Sequence, residues 1–352
     1  MNVLLHPSKV LPVGVAEILR SSAVAAEISR DLTPDQLALI YDQQWFRMLM
    51  PESPLSLPEL VRLEEGLSWA DGSVGWTVTL CSGAGWFAGF FPPTAFPEIF
   101  DDPHLCLAGS GSPSGEAHVI PGGYRINGRW DYASGALHAT GFTANCVVIE
   151  NGEKVLTKEG TALIRPFLFR KEEVVVEKTW NPIGLIATGS HSFSIQNVEV
   201  TADRCFIIDP NHAKADHPIY QYSFLQLAEA TLAVNISGMA MHFLDCCAEL
   251  FAQRNISTRA EEKTQEALDK SIKAMDQLRT EFYIAVDGSW EDRSLLPSVS
   301  RMAHTLAAVA RQLVDHLYPY LGLNAARPDT EINRVWRDLH TASQHNLLVF
   351  RP

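Results

Sequence analysis

The stretch Pro121–Gly135, PGGYRINGRWDYASG, determines the class of fold that this sequence predicts. Pro121-Gly122-Gly123 is a turn signal, and Asn127-Gly128, flanked by strand-forming residues, is typical of a tight β-hairpin. Two turn signals so close together predict short β-strands rather than a helix.

The same character extends outward from His104 to about Asp209. Short β-rich runs alternate with turn residues there, namely Val147–Ile149, the turn Asn151-Gly152, Val174–Val176 and Phe193–Val200. The region lacks the crossover helices, roughly a dozen residues long, that a parallel sheet requires. We therefore expect an antiparallel β-barrel or sandwich.

Both flanks of the β-region are helical in pattern. Glu17–Arg30 is amphipathic, Thr33-Pro34 resembles a helix start, and Ser56 with Glu59 forms a capping box for a helix running toward Ala70. After Ile219 four apolar periodic segments predict a four-helix bundle, namely Tyr222–Arg254, which is apolar nearly all round, and stripes from Leu268 to Phe282, Val299 to Leu317 and Ile332 to Leu339. The predicted class is α+β, with a helical domain over 1–103, a β-domain over 104–209 and a bundle over 210–352.

Composition excludes several classes of function. A formal net charge of −13, with no basic run, disfavours nucleic acid and anionic membranes as partners. The six cysteines are scattered, and there is no signal-peptide pattern, which predicts free thiols in a cytoplasmic protein. The uncharged stretch Ser73–Phe91 is long enough to span a membrane, but four glycines interrupt it, so we expect a buried broken helix.

Three small-residue segments are candidates for ligand binding. Gly109–Gly115, after an expected strand His104–Ala108, allows close approach of backbone N–H groups to a heterocycle or phosphate. Gly128–Gly135 supplies aromatic and hydroxyl groups at a strand end, and Thr188-Gly189-Ser190 supplies hydroxyls on a loop. Each segment by itself is more typical of an ordinary turn or core strand than of a ligand site. His340 and His345 are five residues apart and lie on different helix faces, so no helical metal pair is predicted.

The order and spacing of these segments resemble the acyl-CoA dehydrogenase superfamily, and most closely its reduced-flavin-dependent (two-component) monooxygenase branch. The resemblance runs from about Glu17 to Phe350. Its carrying motifs are Leu57-Pro58-Glu59, Asp71–Trp76, the serine–glycine segment, Gly122–Trp130, Ala133-Ser134-Gly135 with His138, Thr188-Gly189-Ser190, and Trp336–His340 with His345.

The resemblance implies a flavin against the β-domain, either FAD or, as the alternative, reduced FMN. The cofactor-binding positions that it implies are Leu107, Gly109, Ser110, Ser112, Trp130, Tyr132, Ala133, Ser134, Thr188 and Ser190. Ser134, His138 and His345 are the implied catalytic residues, with His345 supporting a flavin C4a-hydroperoxide that oxygenates a small organic substrate. A separate flavin reductase and a homodimer or homotetramer are the implied partners.

Two absences and one substitution distinguish this sequence from the wider family and leave alternatives open. No glutamate stands in a convincing context for the proton-abstracting base of acyl-CoA dehydrogenases, since the surroundings of Glu331 do not match. No adenine-binding motif is recognisable between Ala252 and Lys273, and Ala133 replaces a frequent hydroxyl residue. Both absences favour the monooxygenase branch. The alternatives are FAD-dependent acyl-CoA oxidation and a catalytically degenerate flavin-binding or assembly subunit.

Overall fold

The N-terminal third of the chain is helical, as predicted. The computed structural model describes residues 4–253 and 259–349. The helices before the sheet are α1 (Val15–Ser29), α2 (Pro34–Asp42), α3 (Leu57–Ala70), α4 (Gly72–Gly85) and the short α5 (Pro97–Phe100). Thr33 and Ser56 both form capping boxes, so these two predicted helix starts are confirmed.

The apolar stretch Ser73–Phe91 forms a broken helix buried in the protein core, as expected. It comprises α4 and a following 3₁₀ helix, Trp86–Phe90. Asp71 caps α4 by accepting a hydrogen bond of 2.8 Å from the backbone N–H of Val74. Since α4 carries no charged residue on any face, it is buried between other helices and the sheet.

The central region forms one seven-stranded sheet. Its strands are β1 (Leu107–Ile120), β2 (Gly123–Ala133), β3 (Gly141–Glu150), β4 (Glu153–Lys154), β5 (Ile164–Arg170), β6 (Val175–Glu177) and β7 (His191–Thr201). The order is β4-β3-β1-β2-β7-β6, with β5 also pairing with β3. The expectation of a purely antiparallel domain is wrong in one respect, because β1 and β3 pair in parallel.

The expected hairpin at Asn127-Gly128 is also wrong. These residues lie inside β2, and the chain turns instead at Pro121-Gly122, where Ile120 pairs with Gly123. A Cβ on Gly128 would lie 2.6 Å from the Cα of Gly115, so this glycine permits close strand approach and not a turn. The predicted turn at Asn151-Gly152 is confirmed, since both residues have positive φ between β3 and β4.

The serine–glycine segment is part of a strand rather than a loop after one. β1 begins at Leu107, later than the expected His104, and continues through residues 109–115. Its pairing with β3 shifts register between Ser110 and Gly115, which leaves the intervening residues out of the ladder. The backbone of this irregularity is therefore available to a ligand.

The C-terminal helices are α6 (Phe224–Ala252), α7 (Arg259–Glu291), α8 (Leu296–Leu317), the short α9 (Leu323–Ala326) and α10 (Glu331–Ala342). The predicted ends at Arg254 and Phe350 lie outside the described residues. By length and composition alone α6 is able to cross a membrane, but 94% of its apolar window is buried inside the fold. It is the predicted central core helix, and it packs against α3, α8 and α10.

The hydrophobic core is divided between the helices and the sheet. Helices from both ends of the chain share one large core, whereas a smaller core lies within the sheet around Trp130, Phe142 and Phe193. The sheet therefore packs as a separate layer against a single helical body. The space that remains between the two layers is the cavity described next.

Candidate active site

A cavity of about 220 Å³ lies between the sheet and the helices. The sheet contributes residues of β1, β3 and the end of β2, the helices α3, α4 and α6 contribute the opposite wall, and the segment after α10 contributes His345 and Leu347. Four of the predicted site residues line this cavity together, namely Gly109, Ser110, Ser134 and His345. Residues more than 200 positions apart in sequence are thus brought to one site.

The sheet wall of the cavity is built from small residues. A Cβ on Gly109 would lie 2.2 Å from the Thr143 hydroxyl oxygen, so only glycine allows β1 and β3 to approach here. A Cβ on Gly111 or on Gly83, across the cavity on α4, would meet no atom within 4 Å. Asn145 Nδ2 donates to the Gly111 carbonyl at 2.9 Å and holds the irregular strand in place.

Ser134 ends a chain of hydroxyl groups that fixes the direction of its hydrogen bond. Its Oγ lies 2.8 Å from Ser190 Oγ, which lies 2.7 Å from Thr188 Oγ1. Thr188 donates its proton to the Leu185 carbonyl at 2.9 Å. Ser190 therefore donates to Thr188 and Ser134 donates to Ser190, which leaves the Ser134 oxygen as an acceptor. The backbone N–H of Leu185 in turn donates to the Asp338 carboxyl at 2.5 Å, which ties the chain to α10.

His345 presents a neutral imidazole to the cavity. Burial lowers the pKa of its side chain below the ordinary value of 6.5. Its Nδ1 accepts a hydrogen bond from the Leu347 backbone N–H at 3.4 Å, which places the ring proton on Nε2. The ring packs edge-on against Trp76 at 5.9 Å. A neutral imidazole held this way is a hydrogen-bond donor in an apolar setting.

The helical wall is largely apolar. Phe87 and Phe224 line the cavity, and their ring centroids are 5.4 Å apart. Leu80, Ala84, Leu227, Ala228 and Leu232 supply much of the remaining surface. Such a wall excludes water and suits an aromatic or aliphatic ligand.

Comparison with known proteins identifies the family to which this arrangement belongs. Residues 230–350 match the family model described as acyl-CoA dehydrogenase, C-terminal domain. The pigment production hydroxylase of Rhodococcus sp. (strain ATCC 21145) is 30% identical over 299 residues, which cover 78% of this chain and 74% of the hydroxylase. The chain belongs to the flavin-dependent monooxygenase branch of the acyl-CoA dehydrogenase superfamily.

A second relative supports this assignment, and a solved structure shows the same fold. The flavin-dependent monooxygenase oxygenase subunit HsaA of Rhodococcus jostii (strain RHA1) is 24% identical, with 93% of this chain and 91% of HsaA covered. The crystal structure of the HsaA monooxygenase from M. tuberculosis superposes with a TM-score of 0.86 at 22% identity, covering 94% and 90% of the two chains. This chain is therefore a flavin-dependent oxidoreductase that acts on a small organic substrate. Its relatives favour oxygenation of that substrate over oxidation of an acyl-CoA.

The other predicted cofactor-binding residues of the monooxygenase are close in sequence to residues that line the cavity, but they do not line it themselves. Leu107 is buried at the start of β1, and Ser112 is exposed in the irregular segment. Trp130 is fully buried and stacks on Phe193 at 5.1 Å, as a residue of the sheet core. Ala133 belongs to the same core, whereas Tyr132 has positive φ and is 72% exposed. Their roles in flavin binding stay predictions.

His138 does not line the cavity either. Its Nε2 lies 2.7 Å from Asp31 Oδ1, in the connection between α1 and α2. Its backbone N–H donates to the Gly135 carbonyl at 2.9 Å, within the turn that follows Ser134. The contact with Asp31 therefore anchors that turn to the N-terminal helices, while the predicted catalytic role stays a prediction.

Glu331 is unsuited to removing a proton from a substrate. It lies 3.0 Å from His242, and this hydrogen bond lowers the pKa of Glu331 to about 2, with Arg20 and Arg334 also favouring the carboxylate. It does not line the cavity. Glu331, His242 and Cys246 place three potential metal ligands within 4.8 Å of one another, but the two guanidinium groups oppose a cation there.

Glu64 lines the cavity but was not among the site residues predicted from the sequence. It lines the cavity from α3 and has no exposed surface. The signal was present in the sequence, because Leu57, Leu60, Val61 and Leu67 form the buried face of α3 at helical spacing and position 64 lies on that same face. A carboxyl in an apolar stripe marks a position where something other than packing has been selected.

Proposed function

We propose that this monooxygenase binds reduced flavin along the sheet wall, with the ring edge at Gly109–Gly111 and Ser134, and that a small aromatic substrate occupies the helical part of the cavity. The observation that carries the proposal is the convergence of Ser134 and His345 on one apolar cavity. A separate flavin reductase supplies the reduced flavin. The active protein is a homodimer or homotetramer in the cytoplasm, and FAD is favoured over FMN.

The residues of the sheet wall fit a flavin, and they favour its reduced form. The space in front of Gly83 and Gly111 accepts a planar ring, because neither position carries a side chain. The hydroxyl chain leaves Ser134 Oγ as a hydrogen-bond acceptor. Reduced flavin carries an N–H at N5 that can donate to such an oxygen, whereas oxidised N5 is itself an acceptor. Ser134 therefore distinguishes the two redox states.

A bound reduced flavin supplies two electrons to O₂, so that one oxygen atom enters the substrate and the other leaves as water. The chain contributes the environment of that reaction. Nε2 of His345 donates a hydrogen bond to the oxygen atom that leaves, and thereby stabilises the charge that develops on it. The apolar helical wall keeps water out, which limits the wasteful release of hydrogen peroxide.

The size of the cavity restricts the substrate. An engineered apolar cavity of roughly 150 Å³ accommodates benzene. The cavity here is about 220 Å³ and is lined by Phe87 and Phe224. Because the flavin edge is proposed to occupy the part of this volume along the sheet wall, the helical part restricts the substrate to at most two small fused rings.

The proposal is tested by anaerobic titration of the purified protein with oxidised and reduced FAD and FMN. We expect wild-type protein to bind the reduced form more tightly, and Ser134→Ala to lose about 3- to 10-fold of affinity for it, as one neutral hydrogen bond is worth roughly 1 kcal/mol. Ser190→Ala removes the acceptor of the Ser134 proton, so that Ser134 can donate to N5 of oxidised flavin. This variant should therefore have a smaller preference for reduced over oxidised flavin than wild-type protein. Ser298→Ala is the control, since this serine bonds the Leu295 carbonyl at the start of α8, outside the cavity. Equal affinity of wild-type protein for both redox states contradicts the proposal.

A further inference from the structure

Glu64 is a buried carboxyl with no partner in the described fold. Its side chain is 0% exposed, and neither Oε1 nor Oε2 makes a hydrogen bond. Burial raises the pKa of Glu64 to about 8, and the nearby Thr79 hydroxyl offsets only part of this rise. A buried polar group left unpaired costs roughly 1–3 kcal/mol. Such a cost, in a cavity wall, indicates a group that is satisfied by a ligand.

The next residue on the same helix shows what a structural carboxyl looks like here. Glu65 accepts two hydrogen bonds from Arg279, at 2.7 and 2.8 Å, one from Tyr283 at 2.7 Å and one from Ser237 at 2.5 Å. It faces the core between α3, α6 and α7 and is fully satisfied within the chain. Glu64 faces the cavity and has none of this. The fold therefore supports one carboxyl with four bonds and leaves its neighbour open to the cavity.

Two hydroxyl groups share the helical wall with Glu64, and only the Thr231 proton has another acceptor, whereas the Thr79 proton is directed toward Glu64 and favours its charged form. The Thr79 hydroxyl oxygen accepts a hydrogen bond from Asn235 Nδ2 at 2.8 Å, and the Thr231 hydroxyl donates to the Ala228 carbonyl at 3.1 Å. Among the described residues that line the cavity there is no lysine or arginine. An anionic substrate thus meets an acidic group and no counter-charge. A molecule that donates a hydrogen bond instead meets the carbonyl oxygen of the protonated Glu64 carboxyl.

We propose that Glu64 anchors the substrate by accepting a hydrogen bond from the O–H or ring N–H of a small uncharged aromatic molecule. Phenols and indole-type heterocycles are the class that this chemistry recognises. The aromatic walls at Phe87 and Phe224 hold the ring, and Glu64 sets its orientation. This inference rests on the proposed function, because the edge of the ring away from Glu64 is the one presented to the flavin.

Such an anchor acts as a filter for substrates. A site built to bond a hydroxyl or N–H rejects an analogue without it far more strongly than an apolar pocket rejects an extra methylene, because its buried polar group is then left unpaired. Methylation of the substrate oxygen or nitrogen removes the donor and adds bulk at the same point. We therefore expect a preference of at least about 10-fold for the unmethylated partner of each pair.

The test measures binding of probes to flavin-free protein by calorimetry. The probes are phenol against anisole, indole against N-methylindole, and benzoate and benzylammonium as charged rings. Wild-type protein should prefer phenol and indole by at least about 10-fold, and Glu64→Leu should abolish the preference. Glu64→Gln keeps an oxygen acceptor and should retain part of it. Glu281→Leu is the matched control, because this exposed carboxyl bonds Gln277 on α7 outside the cavity, and its selectivity should equal that of wild type.

Three results overturn the inference: equal binding of methylated and unmethylated probes to wild-type protein, an unchanged preference in Glu64→Leu, or tightest binding of benzylammonium, which identifies a cation site. Unfolding midpoints of the two Glu64 variants at or above that of wild-type protein show that their fold is intact. Flavin titrations are run separately on each protein. If the protein does not bind flavin but keeps its preference for the unmethylated probes, only the proposed function is contradicted. If it binds flavin but shows no such preference, only the inference about Glu64 is contradicted.

Discussion

Replacement of Glu64 by glutamine should stabilise the flavin-free protein by an amount that grows with pH. The pKa of Glu64 is raised from 4.5 to about 8 by burial, so the fold favours the protonated carboxyl. The contribution of such a group to stability is fully present below its unfolded pKa and is lost as pH rises through the folded value. Each pH unit in that window costs wild-type protein ~1.4 kcal/mol. Glutamine resembles the protonated form at every pH and is free of this loss.

The assay is urea-induced unfolding followed by tryptophan fluorescence, on wild-type and Glu64→Gln protein at about pH 6 and about pH 8. The difference in unfolding free energy should increase by about 2 kcal/mol between these two values, in favour of the variant. Glu159→Gln, which replaces an exposed carboxyl in a turn, is the control and should show no pH-dependent difference. A difference that stays constant between the two pH values would refute the assignment of Glu64 as an unpaired buried carboxyl.

Three further predictions concern residues outside the cavity wall. Arg279→Met should lower the unfolding free energy by about 3 kcal/mol or more, because Glu65 is left as an unpaired buried charge, and an unfolding midpoint near that of wild type would contradict it. Acyl-CoA thioesters should leave the absorbance of bound oxidised flavin unchanged, since Glu331 is held by His242 away from the cavity, and bleaching by any acyl-CoA would restore the dehydrogenase alternative. His138→Ala should weaken binding of reduced flavin several-fold, by about 1 kcal/mol, through loss of its contact with Asp31, with no change in how long oxygen is retained on the protein; a shortened retention in this variant would make His138 a catalytic group.

The features that could be predicted from sequence are those set by near neighbours in the chain. Ser56 and Thr33 start helices because their hydroxyls reach N–H groups only three residues away. Asn151-Gly152 forms its turn because both residues tolerate positive φ. The long C-terminal helices were predicted for the same reason, because their apolar residues recur every three or four positions along the chain.

The predictions for the sheet were wrong where its structure depends on contacts between residues distant in sequence. Asn127-Gly128 has the local character of a turn. In the fold, however, Gly115 of β1 and the Trp130 ring both lie so close to Gly128 that only glycine fits at this position of β2. The parallel pairing of β1 with β3 depends on a partner some thirty residues onward, which no local pattern reveals. The irregular register at Ser110 is a property of that pair alone.

The candidate site was predicted only in part for the same reason. Ser134 and His345 were found because motifs around them resemble a known family, and the structure brings both to one cavity. The direction of the hydrogen bond at Ser134 depends on Thr188 and Leu185, whose geometry is visible only in the fold. Glu64 carries no motif, and its importance follows from its burial without a partner.

The most direct test of the account is whether the protein retains oxygen on its reduced flavin through His345. Protein loaded anaerobically with reduced FAD is mixed with O₂, and O₂ uptake and hydrogen peroxide release are followed in parallel. The account predicts that peroxide appears well after O₂ is consumed in wild-type protein and in His340→Ala, whose histidine bonds Asp315 outside the cavity, but promptly in His345→Ala. Simultaneous O₂ uptake and peroxide release in wild-type protein, or an unchanged delay in His345→Ala, would contradict it.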